Sequence, residues 1–154
     1  CEPSPLLKLL NWHRTPPKLI ARIFSVGFSN VGFWVGYLTG KGLVNAGIPC
    51  LGGWKVNLRR SITNPYQMDY FSISSSPVLA LRGAEDGVQN MKVVSEAWDR
   101  ARDNGAKLET HVYSGADHAW GRKDSSRWPY NEEVDKDTQV RTIAFFKCDG
   151  RKKE

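Results

Sequence analysis

Three polar positions in this 154-residue chain have the types and order that hydrolytic chemistry needs. Ser29 sits in Gly27-Phe28-Ser29-Asn30-Val31, after an apolar, β-branched run and before an apolar stretch of helical length. A sharp strand-to-helix turn in that context exposes a serine oxygen. A serine hydroxyl is a poor nucleophile alone and needs a base, itself held by a carboxylate. His118, in Gly115-Ala116-Asp117-His118-Ala119-Trp120, is the candidate base. Glu85 and Asp86 follow the apolar run Pro77–Leu81, and either is a candidate carboxylate or a cap for a helix beginning near Val88. Taken singly, Ser29 also reads as a turn serine and His118 as a surface-loop histidine.

The remaining reactive residue types carry blander readings. His111 lies within a strand pattern and His13 at a helix end, where a cation suits the dipole, so both read as structural. Cys50 reads as a small core residue, not a nucleophile. Cys1, Cys50 and Cys148 are an odd count without close spacing, which excludes a disulfide-dense scaffold and a cysteine-based zinc motif, and three histidines leave little for a metal site. No metal and no organic cofactor is expected. Trp54 and Trp120 follow strand ends beside the proposed site and are candidates to line a substrate pocket, with packing as the default. Trp34 and Trp98 read as core.

The elements that must position these groups alternate. Leu6–His13 has helical spacing and ends at Pro16-Pro17; Leu19–Val26 reads as a buried strand; Val31–Thr39, apolar nearly all round, reads as a buried helix stopped by Gly40-Lys41-Gly42. Leu43–Leu51 and Pro77–Leu81 read as the second and third strands, separated by a long polar loop over 52–76. Val88–Asn104 is an amphipathic helix with Met91, Val94, Ala97, Trp98 and Ala101 on one face and Gly105 past its end. Lys107–Tyr113 reads as a fourth strand, 121–135 as a polar loop, and Thr138–Cys148 as a closing helix with Val140, Ile143, Ala144 and Phe146 as its apolar stripe. Residues 149–154 read as a basic tail. Strands separated by helices imply one α/β domain over 1–154, a mostly parallel sheet of about four strands with helices on both faces. Sites in such sheets lie beyond the carboxyl ends of the strands, where Ser29, Asp86 and His118 fall.

The segment PVLALRGAEDGV and the later LETHVYSGADHAW resemble the carboxyl-terminal half of the dienelactone hydrolase family, in which a proline-led strand delivers the triad Asp and a Tyr-x-Gly-Ala-x-His loop delivers the His. IARIFSVGFSNVGFWVGYL resembles the family's nucleophile strand, elbow and following helix. The resemblance runs from about Leu6 to Phe146. It implies a shortened α/β-hydrolase fold, whose chain order is nucleophile, acid, histidine. It also implies Ser29 as nucleophile, His118 as general base and acid, Asp86 as its orienter, and the Asn30 N–H as an oxyanion donor. Name-giving members carry Cys at the elbow; Ser29 looks more like the esterase branches. One departure is Val31, where the family has a second small residue, and a β-branched side chain there is expected to strain or tilt the turn, with Gly32 one place late compensating in part. The other departure is length. A complete α/β-hydrolase is similar to this chain plus several preceding strands, which carry the loop giving a second oxyanion N–H; losing one such donor costs on the order of 10²–10³ in rate. A sheet lacking those strands exposes one edge of its first strand, an invitation to homo-oligomers.

Charge and composition narrow the partners. Residues 1–60 hold 8 Lys+Arg against Glu2 alone, whereas 61–154 are nearly balanced. The basic charges are spread singly, the pattern of a solvated face, and no nucleic-acid motif accompanies them. No apolar run reaches 18 residues, so neither a membrane nor a nucleic acid is expected as partner. The chain begins at Cys1 and shows no signal-peptide pattern, so it reads as processed or as a piece of something longer, with a cytoplasmic location expected. The combined reading is a serine ester hydrolase acting on small or medium carboxylic esters. The alternative is a non-catalytic remnant of the same fold that serves as a binding or assembly subunit.

Overall fold

A computed structural model describes residues 22–50, 76–88 and 90–151. The expected helix Leu6–His13, most of the 52–76 loop, and Trp54 within it lie outside the described residues. In chain order the elements are β1 (Phe24–Phe28), α1 (Asn30–Gly40), β2 (Ala46–Cys50), β3 (Val78–Gly83), α2 (Met91–Asp103), β4 (Leu108–Tyr113) and α3 (Glu132–Arg151). The strands form one sheet in the order β1-β2-β3-β4, every pair parallel. In a parallel sheet without crossings every strand points the same way, so all the carboxyl ends meet at one rim.

Helices cover both faces. Val78 and Ala80 of β3 point to one face and pack with Val94, Ala97 and Trp98 of α2. Ile48, Cys50, Leu79 and Leu81 point to the other and pack with Val134, Trp120 and Tyr113, with Phe145 and Phe146 of α3 against them. Helix α1 shares the α2 face and comes very close. A Cβ on Gly47 would stand 2.6 Å from both Val35 Cγ1 and Thr39 Cγ2, so only glycine admits the helix there. Thr39 is buried and satisfies its hydroxyl on the Val35 carbonyl at 2.9 Å. Coverage on both sides leaves every residue of β2 and β3 buried, the pattern a central parallel strand requires.

Helix α2 follows its expected face: Val94, Ala97, Trp98 and Ala101 are buried. It starts later than Val88, because Asn90 is the N-cap and accepts the Lys92 N–H at 2.8 Å. Gly105 adopts φ 82° just past its end, as a glycine after a helix should.

Several expectations require correction. The first strand is not buried: Val26 and Phe28 are about half exposed, and it lies at the edge of the described sheet. Helix α1 is not buried all round, and Trp34 is not core but 44% exposed, on the side turned from the sheet. Helix α3 begins at Glu132, not Thr138, so the polar loop ends before residue 132, and residues 149–151 belong to the helix. Its start is set by the Asn131 side chain accepting the Val134 N–H at 3.1 Å and by Glu132, Glu133 and Asp135 in the first turn. That start also sets the phase. Val134, Thr138 and Phe145 face the sheet, whereas Val140 and Ile143, expected in the stripe, are more than half exposed. Only Phe146 of that stripe packs inward, stacking on Phe24 with centroids 4.7 Å apart.

Candidate active site

Ser29 joins β1 to α1 with φ 52° and ψ −123°, a conformation that a side-chain-bearing residue adopts only under restraint. The restraints are visible. The Ser29 N–H donates to the Cys50 carbonyl at 3.0 Å, and the Ser29 carbonyl accepts the Gly32 N–H at 3.0 Å. Gly27 lets the helix fold back on the strand: a Cβ there would stand 2.7 Å from the Val31 carbonyl oxygen and 2.9 Å from Val35 Cγ2. The expectation that Val31 strains the turn is therefore not met. Its backbone makes the close contact, while its side chain points outward and is 57% exposed. The small residue that this elbow needs is Gly27.

The acid follows β3. Glu85 is exposed and Asp86 buried, which separates the two candidates. Gly83 ends the strand against the histidine loop so closely that a Cβ would collide with the Ala116 carbonyl. Next to it, the Ala84 N–H donates to the Tyr113 carbonyl at 2.8 Å and the Glu85 N–H to the Ala116 carbonyl at 3.0 Å. These bonds tie the loop after β3 to the loop after β4. His118, in the latter, is 3% exposed.

The three side chains form one hydrogen-bonded line. Ser29 Oγ lies 2.9 Å from His118 Nε2, and His118 Nδ1 lies 3.0 Å from Asp86 Oδ2. Asp86 Oδ1 accepts the Val88 N–H at 2.9 Å, a bond local to its own turn; the helix that follows is capped by Asn90, not by Asp86. Burial opposes ionisation of Asp86, but the hydrogen bond with His118, the Arg82 charge and the Val88 N–H outweigh it and hold the carboxyl below its ordinary value. In this line Nε2 is placed to accept a proton from the serine while the carboxylate holds Nδ1–H.

Beside the line is a cleft of about 320 Å³, lined by Phe28, Ser29, His118, Trp120, Trp128 and Arg122 among others. Trp120 contributes to its wall while remaining 1% exposed. Its Nε1 donates to Thr138 Oγ1 at 3.2 Å, so its packing role is plain. Asn30 is the first residue of α1, and an N–H in that first turn has no intrahelical acceptor. Burial pushes the Cys50 thiol up to about 12, which makes it inert. Among the described residues no group of three or more His, Cys, Asp or Glu is placed to hold a metal ion, and no helix is long and apolar enough to cross a membrane.

Two residues of this site escaped the sequence reading. Trp128, from the stretch read only as a polar loop, tilts against the His118 ring with centroids 4.8 Å apart. The Ser125 hydroxyl holds its loop by accepting the Trp128 N–H at 3.0 Å. Arg82 is 2% exposed and pairs with Asp86. A charged residue closing an apolar strand run was the available signal for Arg82; Trp128 had none beyond its residue type.

The dienelactone hydrolase family profile matches residues 5–149. Among curated proteins none matches. Among solved structures, a provisionally assigned dienelactone hydrolase from Klebsiella pneumoniae subsp. pneumoniae MGH 78578 is similar at 26% identity with a TM-score of 0.72, over 92% of this chain and 58% of that one. An esterase from Pyrococcus furiosus is similar at 14% identity with a TM-score of 0.66, over 91% of this chain and 58% of that one. A dienelactone hydrolase-like promiscuous phosphotriesterase from metagenomic libraries is similar at 15% identity with a TM-score of 0.61, over 80% of this chain and 51% of that one. The latter two share the fold. The chain thus spans little more than half the length of these relatives. Because the profile runs from ahead of β1 into the last turn of α3, the chain belongs to the dienelactone hydrolase family.

Proposed function

We propose that this chain is a serine hydrolase of carboxylic esters. The observation that carries the reading is the unbroken line from Ser29 through His118 to Asp86, with both contacts at 3.0 Å or less. Ser29 Oγ attacks the ester carbonyl carbon while its proton passes to His118 Nε2. The carbonyl electron pair moves onto oxygen, which the Asn30 N–H stabilises. Collapse breaks the carbon–oxygen bond to the alcohol, which leaves with the proton from His118. Water then attacks the acyl-serine, gives its proton to His118, and the acid departs as the serine oxygen recovers that proton. A cleft of about 320 Å³ lies at the small end of ligand sites and supports a small or medium ester.

One observation favours a second reading, a non-catalytic subunit that binds or assembles. Among the described residues, the Asn30 N–H is one oxyanion donor where the fold ordinarily has two. Fluorophosphonate labelling of the folded chain, mapped by mass spectrometry, separates the two. Modification at Ser29 that vanishes in Ser29→Ala and His118→Ala supports the hydrolase. A folded chain left unmodified overturns it in favour of the subunit.

A further inference from the structure

Arg82 is a buried charge that the hydrolytic steps leave unused. It sits on β3 after Val78, Leu79, Ala80 and Leu81, in a strand buried along its length. A guanidinium there is strongly unfavourable unless paired, and a buried pair adds little stability over a well-packed apolar side chain. Fold alone does not account for it. Its partners do. Nη1 lies 3.5 Å from Asp86 Oδ2, Nη2 donates to the Asp86 carbonyl at 3.4 Å, and Nε points to Met91 Sδ at 3.2 Å. The oxygen that Nη1 approaches is the one that holds His118 Nδ1. With Oδ1 taken by the Val88 N–H, the Asp86 carboxylate is held at both oxygens and cannot turn away from His118.

We propose that Arg82 is a positioning residue of this site: it clamps the Asp86 carboxylate so that Oδ2 stays aimed at His118 Nδ1. The proposal rests on the reading of Ser29, His118 and Asp86 as the working line. A charge-assisted contact from a planar guanidinium fixes the orientation of the carboxylate it meets. The other charges around His118 are Asp117, whose carboxylate accepts the His118 N–H, Arg122 and Asp135 in the cleft wall, and Arg127 on the Trp128 ring. All of them stay in the variants below.

The test follows the low-field proton resonance of the His118 Nδ1–Asp86 hydrogen bond by nuclear magnetic resonance, in the full chain and in Arg82→Met, Arg82→Gln and Arg82→Lys. Ser29 labelling by a fluorophosphonate is recorded in each. The expected result is that the signal is lost or broadened and labelling falls in Arg82→Met and Arg82→Gln, and that both are retained in Arg82→Lys, which keeps the charge. An unchanged signal in either folded neutral variant overturns the proposal. So does failure of both neutral variants to fold while Arg82→Lys folds, because Arg82 is then a structural charge alone. Ser29 left unlabelled in the parent while the signal responds as expected sinks the nucleophile reading and upholds the role of Arg82.

Discussion

Ser29 Oγ and His118 Nε2 meet at 2.9 Å although 89 residues separate them in the chain. The elbow after β1 and the loop after β4 lie at opposite ends of the strand order, yet parallel strands bring both to one rim. In the proposed hydrolysis this is the contact through which a proton leaves the serine. Replacing His118 by Ala is expected to slow fluorophosphonate labelling of Ser29 by on the order of 10²–10⁴ while leaving the circular dichroism unchanged. A change below tenfold would mean that Ser29 needs no base from His118.

Asp86 ties the proposed chemistry to acid stability. Its carboxyl is held below its ordinary value in the folded chain, mostly by His118 and Arg82 acting against burial. The folded state therefore binds this proton less readily than the unfolded chain. The stabilisation is fully present above the unfolded value of 3.8 and is lost as pH falls through the lower folded value. Urea unfolding between pH 6 and pH 2 should show a steeper acid loss in the parent than in Asp86→Asn, which has no proton to gain. The same substitution is expected to slow Ser29 labelling by on the order of 10⁴, because an amide leaves the imidazole in the wrong tautomer. Parallel acid profiles in the two proteins would refute the linkage.

The elbow makes opposite demands of two neighbouring positions. Gly27→Ala places a methyl 2.7 Å from the Val31 carbonyl oxygen and is expected to destabilise by about 1–3 kcal/mol and to lower labelling. Val31→Ala trims an exposed side chain and is expected to stay within about 0.5 kcal/mol of the parent. Denaturant midpoints of the pair decide the matter, and equal effects would show that the close approach lies elsewhere.

Trp128 is expected to matter through His118. It lies tilted against the imidazole and carries Arg127 over its ring at 4.7 Å. An aromatic contact of this kind is worth about 0.5–1.5 kcal/mol. Trp128→Ala should therefore lower kcat/KM on a p-nitrophenyl ester by roughly 2–10-fold, with most of the loss recovered in Trp128→Phe. A full loss in both variants would point instead to the indole N–H.

Much of the scaffold was legible because it rests on local preference. Gly105 marks the end of α2, the spacing of Val94, Ala97, Trp98 and Ala101 names its inner face, and the Val78–Leu81 run demands a doubly covered strand. The elbow and the order of Ser29, Asp86 and His118 were legible for the same reason, since turn glycines and strand ends are written in neighbouring residues. Helix α3 marks where local reading stops. It carries one apolar set at Val134 and Phe145 and another at Val140 and Ile143, and periodicity alone does not say which set meets the sheet.

The tertiary structure gives the physical reason for choosing Asp86 over Glu85, adjacent carboxylates that local sequence cannot rank by direction and of which the family resemblance implied Asp86. Closure of Gly83 onto Ala116 turns one outward and buries the other against His118. It alone brought Trp128 onto the imidazole and gave Arg82 its partner. It also turned Trp34 outward, because α1 meets the sheet through Val35 and Thr39 on its other side. Local conformation depends on residues a few places apart and can be read along the chain. The identity of a partner across the rim depends on strand order and on which loops close together, and those are properties of the packed sheet.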